Sequence, residues 1–384
     1  MYGVCVLKNC VFCFSLRQSC TTFAAVELFY ELLNVALGHR EALSRVPSEA
    51  DWQILYEQCD RQTLLGVAFP ALGILQGEQR APKRLFMQWY AASEDIRQRN
   101  SVLNRKAVLA ARTFARDGRR SIILKGQGLA LLYPDPALRT PGDIDIWVEG
   151  RRADTVRYLR RFCPDEEVVY HNMHFPALND VEMEAHFTPS WFNYPVANMR
   201  FQRWCKAQQE RLFSHRVTLG EYGEVCVPDA AFNRVYVMQH IYRHLFGDGI
   251  GLRQVLDYYY VLRQGFTEAE KAETLRQLRR MKMRRFAGAL MYVEQRVFGL
   301  EKTYLLCEPD EREGRYLLSE ILRAGNFGKY DPRIVHTAGE PKWHSFLRIT
   351  RQVWHLVGHY PAEVICSPLF RAWHYVWRVA KGYR

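Results

Sequence analysis

Two aspartates, Asp143 and Asp145, are the residues of this sequence whose types and spacing point most directly to chemistry. Ile144 lies between them and Ile146 follows, and this alternation predicts a β-strand. Alternate residues of a strand point to the same face, so both carboxylates project together, about 7 Å apart along the chain. Adjacent carboxylates repel each other unless a cation lies between them, and hard oxygen ligands suit Mg²⁺. The pair therefore predicts a magnesium site.

A third carboxylate is expected from a later strand. The segment Val181–Phe187 alternates polar and apolar residues, which places Glu182, Glu184 and His186 on one face. If this strand lies beside the aspartate strand, three carboxylates converge and can hold two Mg²⁺ ions. The spacing does not choose between Glu182 and Glu184. It also fits a solvated edge strand on which neither carboxylate binds a metal.

The elements around these strands form a small sheet unit between two helical regions. Residues 1–20 are expected to form a disordered tail, and residues 21–117 repeat apolar positions at helical spacing. Residues 118–227 alternate short apolar strands with helices, and residues 228–384 are helical again. Helices gathered outside one short group of strands are typical of an α+β fold. The strands would then hold the carboxylates, and the helices would shape a pocket around them.

The composition of the chain sets limits on its class and partners. Of the 384 residues, 48% are hydrophobic and 24% charged, which is typical of a globular protein. The formal net charge of +12 permits a polyanionic partner, but the basic residues are spread out, so nucleic acid is not indicated. Of the ten cysteines, four lie in the first twenty residues and the rest are scattered, which favours reduced thiols and a cytoplasmic location. No run reaches the roughly 18 apolar residues of a membrane span.

Two longer motifs surround the candidate carboxylates. The first consists of Leu124-Lys125-Gly126, Leu131-Leu132-Tyr133, Asp135, Leu138-Arg139 and Asp143-Ile144-Asp145-Ile146. The second is Val181-Glu-Met-Glu-Ala-His-Phe187, in which an acidic residue is followed shortly by histidine and an aromatic residue. Less specific parts of the same pattern lie at His240, 251–254, Asp257 and 325–328. With these motifs the sequence resembles the uncharacterised bacterial nucleotidyltransferases of the DNA polymerase β-like superfamily over most of residues 21–384.

This resemblance implies a fold and a reaction. The implied fold has a small mixed sheet and a helix before the aspartate strand whose N-terminus faces the triphosphate. The implied reaction is Mg²⁺-dependent transfer of a nucleoside monophosphate from a nucleoside triphosphate to an acceptor hydroxyl, with release of pyrophosphate. The acceptor is an unknown small molecule or macromolecule, and two Mg²⁺ ions would take part.

The same resemblance assigns roles to six residues. The metal ligands would be Asp143, Asp145 and Glu184, and the phosphate contacts would be Lys125, Gly126 and Arg139. Glu184 is preferred to Glu182 because a histidine and an aromatic residue follow it, and it would also serve as the base that acts on the acceptor. For Arg139, a salt bridge to Asp135 or Asp143 fits the sequence equally well.

The phosphate-binding turn departs from the usual pattern of the superfamily. A Gly-Ser or Gly-Gly pair usually precedes the helix there, whereas this chain has Lys125-Gly126-Gln127-Gly128. The glycines still allow the backbone to approach an anion closely, and the lysine adds a positive charge. A hydroxyl donor is missing, so the sequence supports metal binding better than phosphate binding.

Two other functions fit parts of the sequence. A metal-dependent glycosyltransferase also uses Asp-x-Asp to hold a metal on a nucleotide-sugar, but it needs a larger nucleotide-binding region. A sheet of only four or five strands would count against it. A non-catalytic regulator could keep the same fold and bind a nucleotide or a partner protein. The missing hydroxyl at 125–128 favours a regulator, and three convergent carboxylates would count against it.

Three features of the C-terminal helical region have a structural and a functional interpretation. His240 and His244 have metal-ligand spacing on a helix, but a core position is the preferred interpretation. Arg253 and Asp257 are spaced for a helix ion pair, or for contacts that hold these helices against the site. The segment 325–328 is interpreted as a helix stop and turn, with a loop that faces the base or the acceptor as the alternative.

Overall fold

The structure, a computed structural model, covers most of the chain. The described residues are 25–175, 181–247, 249–331, 333 and 342–383. The predicted tail at residues 1–20 lies outside them. The described part is mainly helical, with a four-stranded sheet and a two-stranded hairpin, so the predicted α+β class is confirmed. The predicted domain boundaries at 117/118 and 227/228 stay predictions.

Within the described residues, a group of helices precedes the sheet. They are α1 (residues 25–36), α2 (Glu49–Arg61), α3 (Leu65–Ile74) and α4 (Lys83–Arg116). The long helix α4 matters most for the site, because it fixes the loop that leads into the aspartate strand. The Asn100 side chain on α4 donates hydrogen bonds of 2.8 Å to the carbonyls of Ala137 and Arg139. Helix α4 thereby anchors the chain just before the strand that carries Asp145.

The central sheet has the strand order β1–β2–β4–β3. Its strands are β1 (Ser121–Ile123), β2 (Ile144–Val148), β3 (Asn172–His174) and β4 (Met183–His186). Helix α5 (Gly126–Ala130) follows β1, and helix α6 (Arg152–Leu159) follows β2. Strand β2 runs parallel to β4, whereas the β1–β2 and β3–β4 pairs are antiparallel. The small mixed sheet that the resemblance implies is therefore confirmed.

One face of the sheet is apolar, as the alternation of residues in β2 and β4 predicts. The opposite face, called the polar face below, carries Asp145, Glu184 and His186, although the buried Trp147 of β2 also lies on it. A core cluster joins the apolar face to α4 and α6, and it includes Phe114, Ile144, Ile146, Leu159 and Ala185. Asp145 on β2 is paired in register with Glu184 on β4, and His186 lies two residues further along β4. The buried layer supports both strands from behind, so the polar residues are held on the opposite side.

The rest of the described chain is helical apart from one hairpin. Its elements are α7 (Pro195–Leu212), β5 (Arg216–Thr218), β6 (Glu224–Cys226), α8 (Ala230–Leu245), α9 (Leu252–Arg263), α10 (Glu268–Arg280), α11 (Arg284–Phe298), α12 (Glu311–Ala324), α13 (Lys342–Trp354) and α14 (Pro361–Lys381). Neither α7 nor the hairpin is among the predicted elements. Helices α8 and α9 contact the segments around the aspartate strand and form the second wall of the site. None of the described helices is both long enough and apolar enough to cross a membrane.

Candidate active site

Three carboxylates converge on the polar face of the sheet. Asp145 and Glu184 are register partners on the parallel strands β2 and β4, and Asp143 lies just before β2. One oxygen atom from each of these three side chains lies within 4.8 Å of the other two. Among the described residues, Glu182 adds no oxygen to this cluster, and its carbonyl accepts a backbone hydrogen bond from Ile144. The spacing of β4 thus brings Glu184, and not Glu182, beside the aspartates.

Two nitrogen-bearing side chains neutralise the buried carboxylate of Asp145. The Lys125 Nζ atom lies 2.7 Å from Asp145 Oδ2. The His186 Nε2 atom lies 2.8 Å from Asp145 Oδ1 and 3.3 Å from Glu184 Oε2. The amide of Asn172 on β3 also donates a hydrogen bond to Glu184 Oε2. The cluster is therefore an ion network with cationic groups inside it, and not a bare set of acids.

The pKa values in this network follow from burial and charge. The neighbouring charge of Asp145, together with burial, raises the pKa of Asp143 to about 6. Burial opposes ionisation of Asp145, but Lys125 and His186 outweigh it and hold the pKa of Asp145 below its usual range. Burial also disfavours a charged His186, yet its bonds to Asp145 and Glu184 raise its pKa to about 9. His186 is therefore an imidazolium at neutral pH.

Arg139 forms a buried ion pair with a residue that the sequence did not suggest as its partner. Its guanidinium donates two hydrogen bonds of 2.7 Å to the two oxygens of Asp257 on α9. The Tyr133 hydroxyl donates a third bond, also of 2.7 Å, to Asp257 Oδ1. The predicted alternative partner Asp135 instead pairs with Arg97 at 2.7 Å. Arg139 thus ties the loop before β2 to α9.

One nitrogen of Arg139 is not used in this ion pair. Its second terminal nitrogen, Nη1, is buried and has no hydrogen-bond partner among the described residues. Arg139 lines a small cavity of about 40 Å³ together with Lys125, Gly126 and Asp143. The structure therefore brings the three predicted phosphate contacts to one place next to the aspartates. Their role in phosphate binding stays a prediction.

Gly126 allows the chain to turn close to the aspartate strand. Its φ of +47° lies in the left-handed region that favours glycine, and a Cβ atom there would lie 3.5 Å from the carbonyl oxygen of Asp143. Lys125 precedes this turn as the cap of the short helix α5. Lys125 thus lies directly before this turn, with its ammonium against Asp145.

A cleft of about 410 Å³ opens in front of the carboxylates. Its sheet side includes Asp143, Asp145, Glu184 and His186, and its helical side includes His240, Arg243 and His244 from α8. His240 Nε2 lies 3.3 Å from Lys125 Nζ. Burial, followed by the charge of Lys125, lowers the pKa of His240 well below its ordinary value, so the neutral ring can accept a bond from the ammonium.

The two histidines of α8 are buried, as the sequence predicts, and they also line the cleft. His240 and His244 are 7% and 6% exposed, in agreement with the predicted core position. They nevertheless line the cleft, and so does the segment 325–328 through Phe327. The available signal was the i, i+4 spacing of the histidines with Arg243 between them. Arg243 is a lining residue that the sequence did not single out, whereas Phe327 belongs to the segment 325–328, for which a loop facing the base or the acceptor was the alternative interpretation.

Arg253 and Asp257 hold α9 against the loop before β2. Arg253 Nη1 donates a hydrogen bond of 2.9 Å to the carbonyl of Thr140, while Asp257 accepts both bonds from Arg139. Each side chain therefore contacts the loop at 139–140. This is the second of the two interpretations of their spacing, in which they fix the C-terminal helices to the site.

Comparisons with known proteins identify the family. A family described as an uncharacterised nucleotidyltransferase matches residues 48–299, which is more than half of the chain. The chain belongs to this nucleotidyltransferase family. It is therefore an enzyme of the transferase class. The family membership confirms the resemblance of the sequence motifs.

The matched solved structures are distant. One is an antigenic nucleotidyltransferase-like protein from Paracoccidioides brasiliensis, with 14% identity, a TM-score of 0.28, and coverage of 52% of this chain and 92% of that one. Another is the Thermotoga maritima CCA-adding enzyme complexed with tRNA, with 11% identity, a TM-score of 0.18, and coverage of 69% and 77%. A comparison with curated proteins gave no match.

Proposed function

We propose that the protein transfers a nucleoside monophosphate from a nucleoside triphosphate to a hydroxyl of a small molecule or macromolecule in the cytoplasm. Pyrophosphate is the second product. The observation that carries this proposal is the convergence of Asp143, Asp145 and Glu184 from two neighbouring strands in a member of a nucleotidyltransferase family. The reaction requires that these carboxylates lie where an α-phosphate and an acceptor hydroxyl can meet.

The donor set fits Mg²⁺. All three carboxylates offer hard oxygen atoms, and these lie within 4.8 Å of one another. The charge of Asp145 and burial raise the pKa of Asp143 to about 6 even though the charge of Lys125 lowers it, so a bound cation would stabilise the ionised carboxylate. We assign Asp143, Asp145 and Glu184 as the ligands of the two Mg²⁺ ions. When bound, Mg²⁺ would supply charge neutralisation on the phosphates and activation of the acceptor hydroxyl.

Glu184 is the proposed base. Burial raises its pKa, but the bond from His186 outweighs this effect and lowers the pKa, so the carboxylate is ionised at neutral pH. His186 and Asn172 both contact Oε2. The proton of the acceptor hydroxyl would therefore be taken up at Oε1. The Glu184 side chain is 35% exposed and lines the cleft, so an acceptor can reach it.

Lys125, Gly126 and Arg139 are the proposed phosphate contacts. In the described structure the Lys125 ammonium neutralises Asp145. A cation bound at Asp145 would compete with this ammonium, and Lys125 would then be available to a triphosphate in the larger cleft, which Lys125 also lines. Gly126 and Arg139 line the small cavity beside it. The lysine would compensate for the hydroxyl donor that the turn lacks.

The structure favours transfer over the two alternatives. The described residues form a four-stranded sheet, which is smaller than the nucleotide-binding region expected of a glycosyltransferase. The three convergent carboxylates count against a non-catalytic regulator, which does not need them. Both observations match the criteria that the sequence provides.

Nucleotide titration tests the substrate class. We expect at least one of ATP, GTP, CTP and UTP to bind in a calorimeter with Mg²⁺ present and to bind at least about tenfold more weakly after chelation, because the metal bridges the phosphates to the carboxylates. Binding of none of the four nucleotides, or binding that does not respond to Mg²⁺, would contradict the proposal.

A second prediction concerns the two proposed partners of the Lys125 ammonium, which are Asp145 without metal and the triphosphate when metal is bound. We expect Lys125→Met to bind Mn²⁺ about tenfold more tightly than the wild type in the absence of nucleotide, because the competing ammonium is gone. The same variant should bind the nucleoside triphosphate about tenfold more weakly. Electron paramagnetic resonance titration reports the first constant and calorimetry the second. Lys302→Met, at an exposed position away from the cleft, is the control, and equal constants in both variants would refute the exchange.

A further inference from the structure

One large aromatic side chain is exposed at the boundary of the two cavities. Phe327 is 43% exposed and lines both the small cavity beside Lys125 and Asp143 and the larger cleft in front of Glu184. Its ring centroid lies 5.4 Å from that of His244, and the Arg253 guanidinium lies 5.9 Å from it. The ring is thus close to the carboxylates but retains a free surface.

The backbone of Phe327 adopts a conformation that does not suit this residue. Its φ of 52° and ψ of 33° lie in the left-handed region, which costs free energy for any residue with a bulky side chain. A glycine would adopt the same turn without this cost. Residues held in such conformations concentrate at ligand-binding sites, where the surrounding structure fixes them. Local stability therefore does not explain a phenylalanine at this position.

The turn that carries Phe327 is fixed by close backbone packing. A Cβ atom at Gly249 would lie 2.9 Å from the amide nitrogen of Gly328, and one at Gly251 would lie 2.9 Å from the Cα atom of Asn326. The connection between α8 and α9 therefore packs directly on the turn. Gly251 also caps α9, the helix that holds Arg139. The ring is consequently presented from a position that is set by the same helices that build the site.

We propose, on the basis of the nucleotidyl transfer proposed above, that the nucleobase of the triphosphate stacks on the ring of Phe327. Lys125 and Phe327 both line the cleft of about 410 Å³, and both also line the small cavity that contains Gly126 and Arg139, so one molecule in the cleft can reach both. A base has two flat apolar faces, and stacking on an aromatic side chain is tolerant of base identity. Lys125 and Arg139 would hold the phosphates at one end, and Phe327 would hold the base at the other.

A base-free ligand separates this role from a general role in the site. The probes are the nucleoside triphosphate that the wild type binds and inorganic tripolyphosphate, each with Mg²⁺. We expect Phe327→Ala to weaken binding of the nucleotide at least about tenfold. Binding of tripolyphosphate should stay within about twofold of the wild type. Phe327→Tyr should retain nucleotide binding, because it keeps the ring.

Two further variants test whether weakened binding results from a change in folding rather than from loss of the ring. Phe327→Gly removes the ring and relieves the left-handed strain, so we expect a raised thermal midpoint together with weakened nucleotide binding. Phe162→Ala removes another exposed ring, 48% exposed on the surface after α6, and should bind both probes like the wild type.

The outcomes of this test are distinct. Equal weakening of nucleotide and tripolyphosphate by Phe327→Ala would show that Phe327 acts through the structure of the site and would overturn stacking. Unchanged nucleotide binding would overturn it as well, while leaving the proposed transfer intact. If the wild type binds neither probe, the transfer proposal fails first, and the stacking proposal fails with it.

Discussion

Asp145→Asn is expected to lower the rate of nucleotidyl transfer between about a hundredfold and a thousandfold, the range found when one preorganised electrostatic group is removed from a site. Asp145 is 4% exposed and contacts both Lys125 and His186, so the substitution removes the negative charge around which the network is built. It also removes a proposed metal ligand. The rate of pyrophosphate release at saturating nucleotide and Mg²⁺ measures the effect.

Matched variants on β4 show whether the loss is specific. Glu184→Gln should reduce the rate to a similar extent, because Glu184 is both a proposed ligand and the proposed base. Glu182→Gln changes the same type of residue two positions earlier, outside the cluster, and should retain a rate close to that of the wild type. A similar rate for the Glu182 and Glu184 variants would contradict the assignment. Circular dichroism of each variant checks that the fold is retained.

Asp257→Ala is expected to lower the free energy of unfolding by about 3–5 kcal/mol, because it leaves the guanidinium of Arg139 buried without its carboxylate. The side chains of Arg139 and Asp257 are 4% and 6% exposed, and Tyr133 would lose its acceptor at the same time. Chemical denaturation, monitored by the fluorescence of the tryptophans, measures the change.

An exposed ion pair on the same loop is the control. Asp135 pairs with Arg97, and their side chains are 40% and 37% exposed. Asp135 also accepts a hydrogen bond from the Ala137 amide, so Asp135→Ala should lower the free energy of unfolding by no more than about 2 kcal/mol. The double variant Arg139→Met with Asp257→Leu should be more stable than Asp257→Ala, because no unpaired charge remains buried. An equal loss for Asp135→Ala and Asp257→Ala would show that burial of the Arg139 pair has no special role.

The local pattern of the sequence predicted the elements of the site, and tertiary packing decided their partners. Alternation in a strand is a local property. It could therefore be predicted that Asp143 and Asp145 share one face of their strand and that Glu184 and His186 share one face of theirs. Their pairing in register depends on β2 lying beside β4, which the sequence could only suppose. The roles of these residues in metal binding and catalysis stay predictions.

The partners of Arg139 and Lys125 could not be predicted from the sequence, because they are distant along the chain. Arg139 and Asp257 are 118 residues apart, and Lys125 and His240 are 115 apart, so their proximity depends on how α8 and α9 pack against the sheet. Periodicity reports which side of a helix is apolar, but not what that side faces. The segment 325–328 could be named as a candidate loop, but the left-handed backbone of Phe327 could not be predicted because it is a property of the folded turn.

The fate of the triphosphate tests the central claim most directly. Nucleoside triphosphates labelled at the α-phosphate or at the γ-phosphate are incubated with the protein, Mg²⁺ and a cell extract as the source of acceptors. We predict that the α-label enters a product and the γ-label appears in pyrophosphate, with the wild type but not with Asp145→Asn. Transfer of the γ-label to a product, or label patterns that are the same for both proteins, would contradict nucleotidyl transfer at this site.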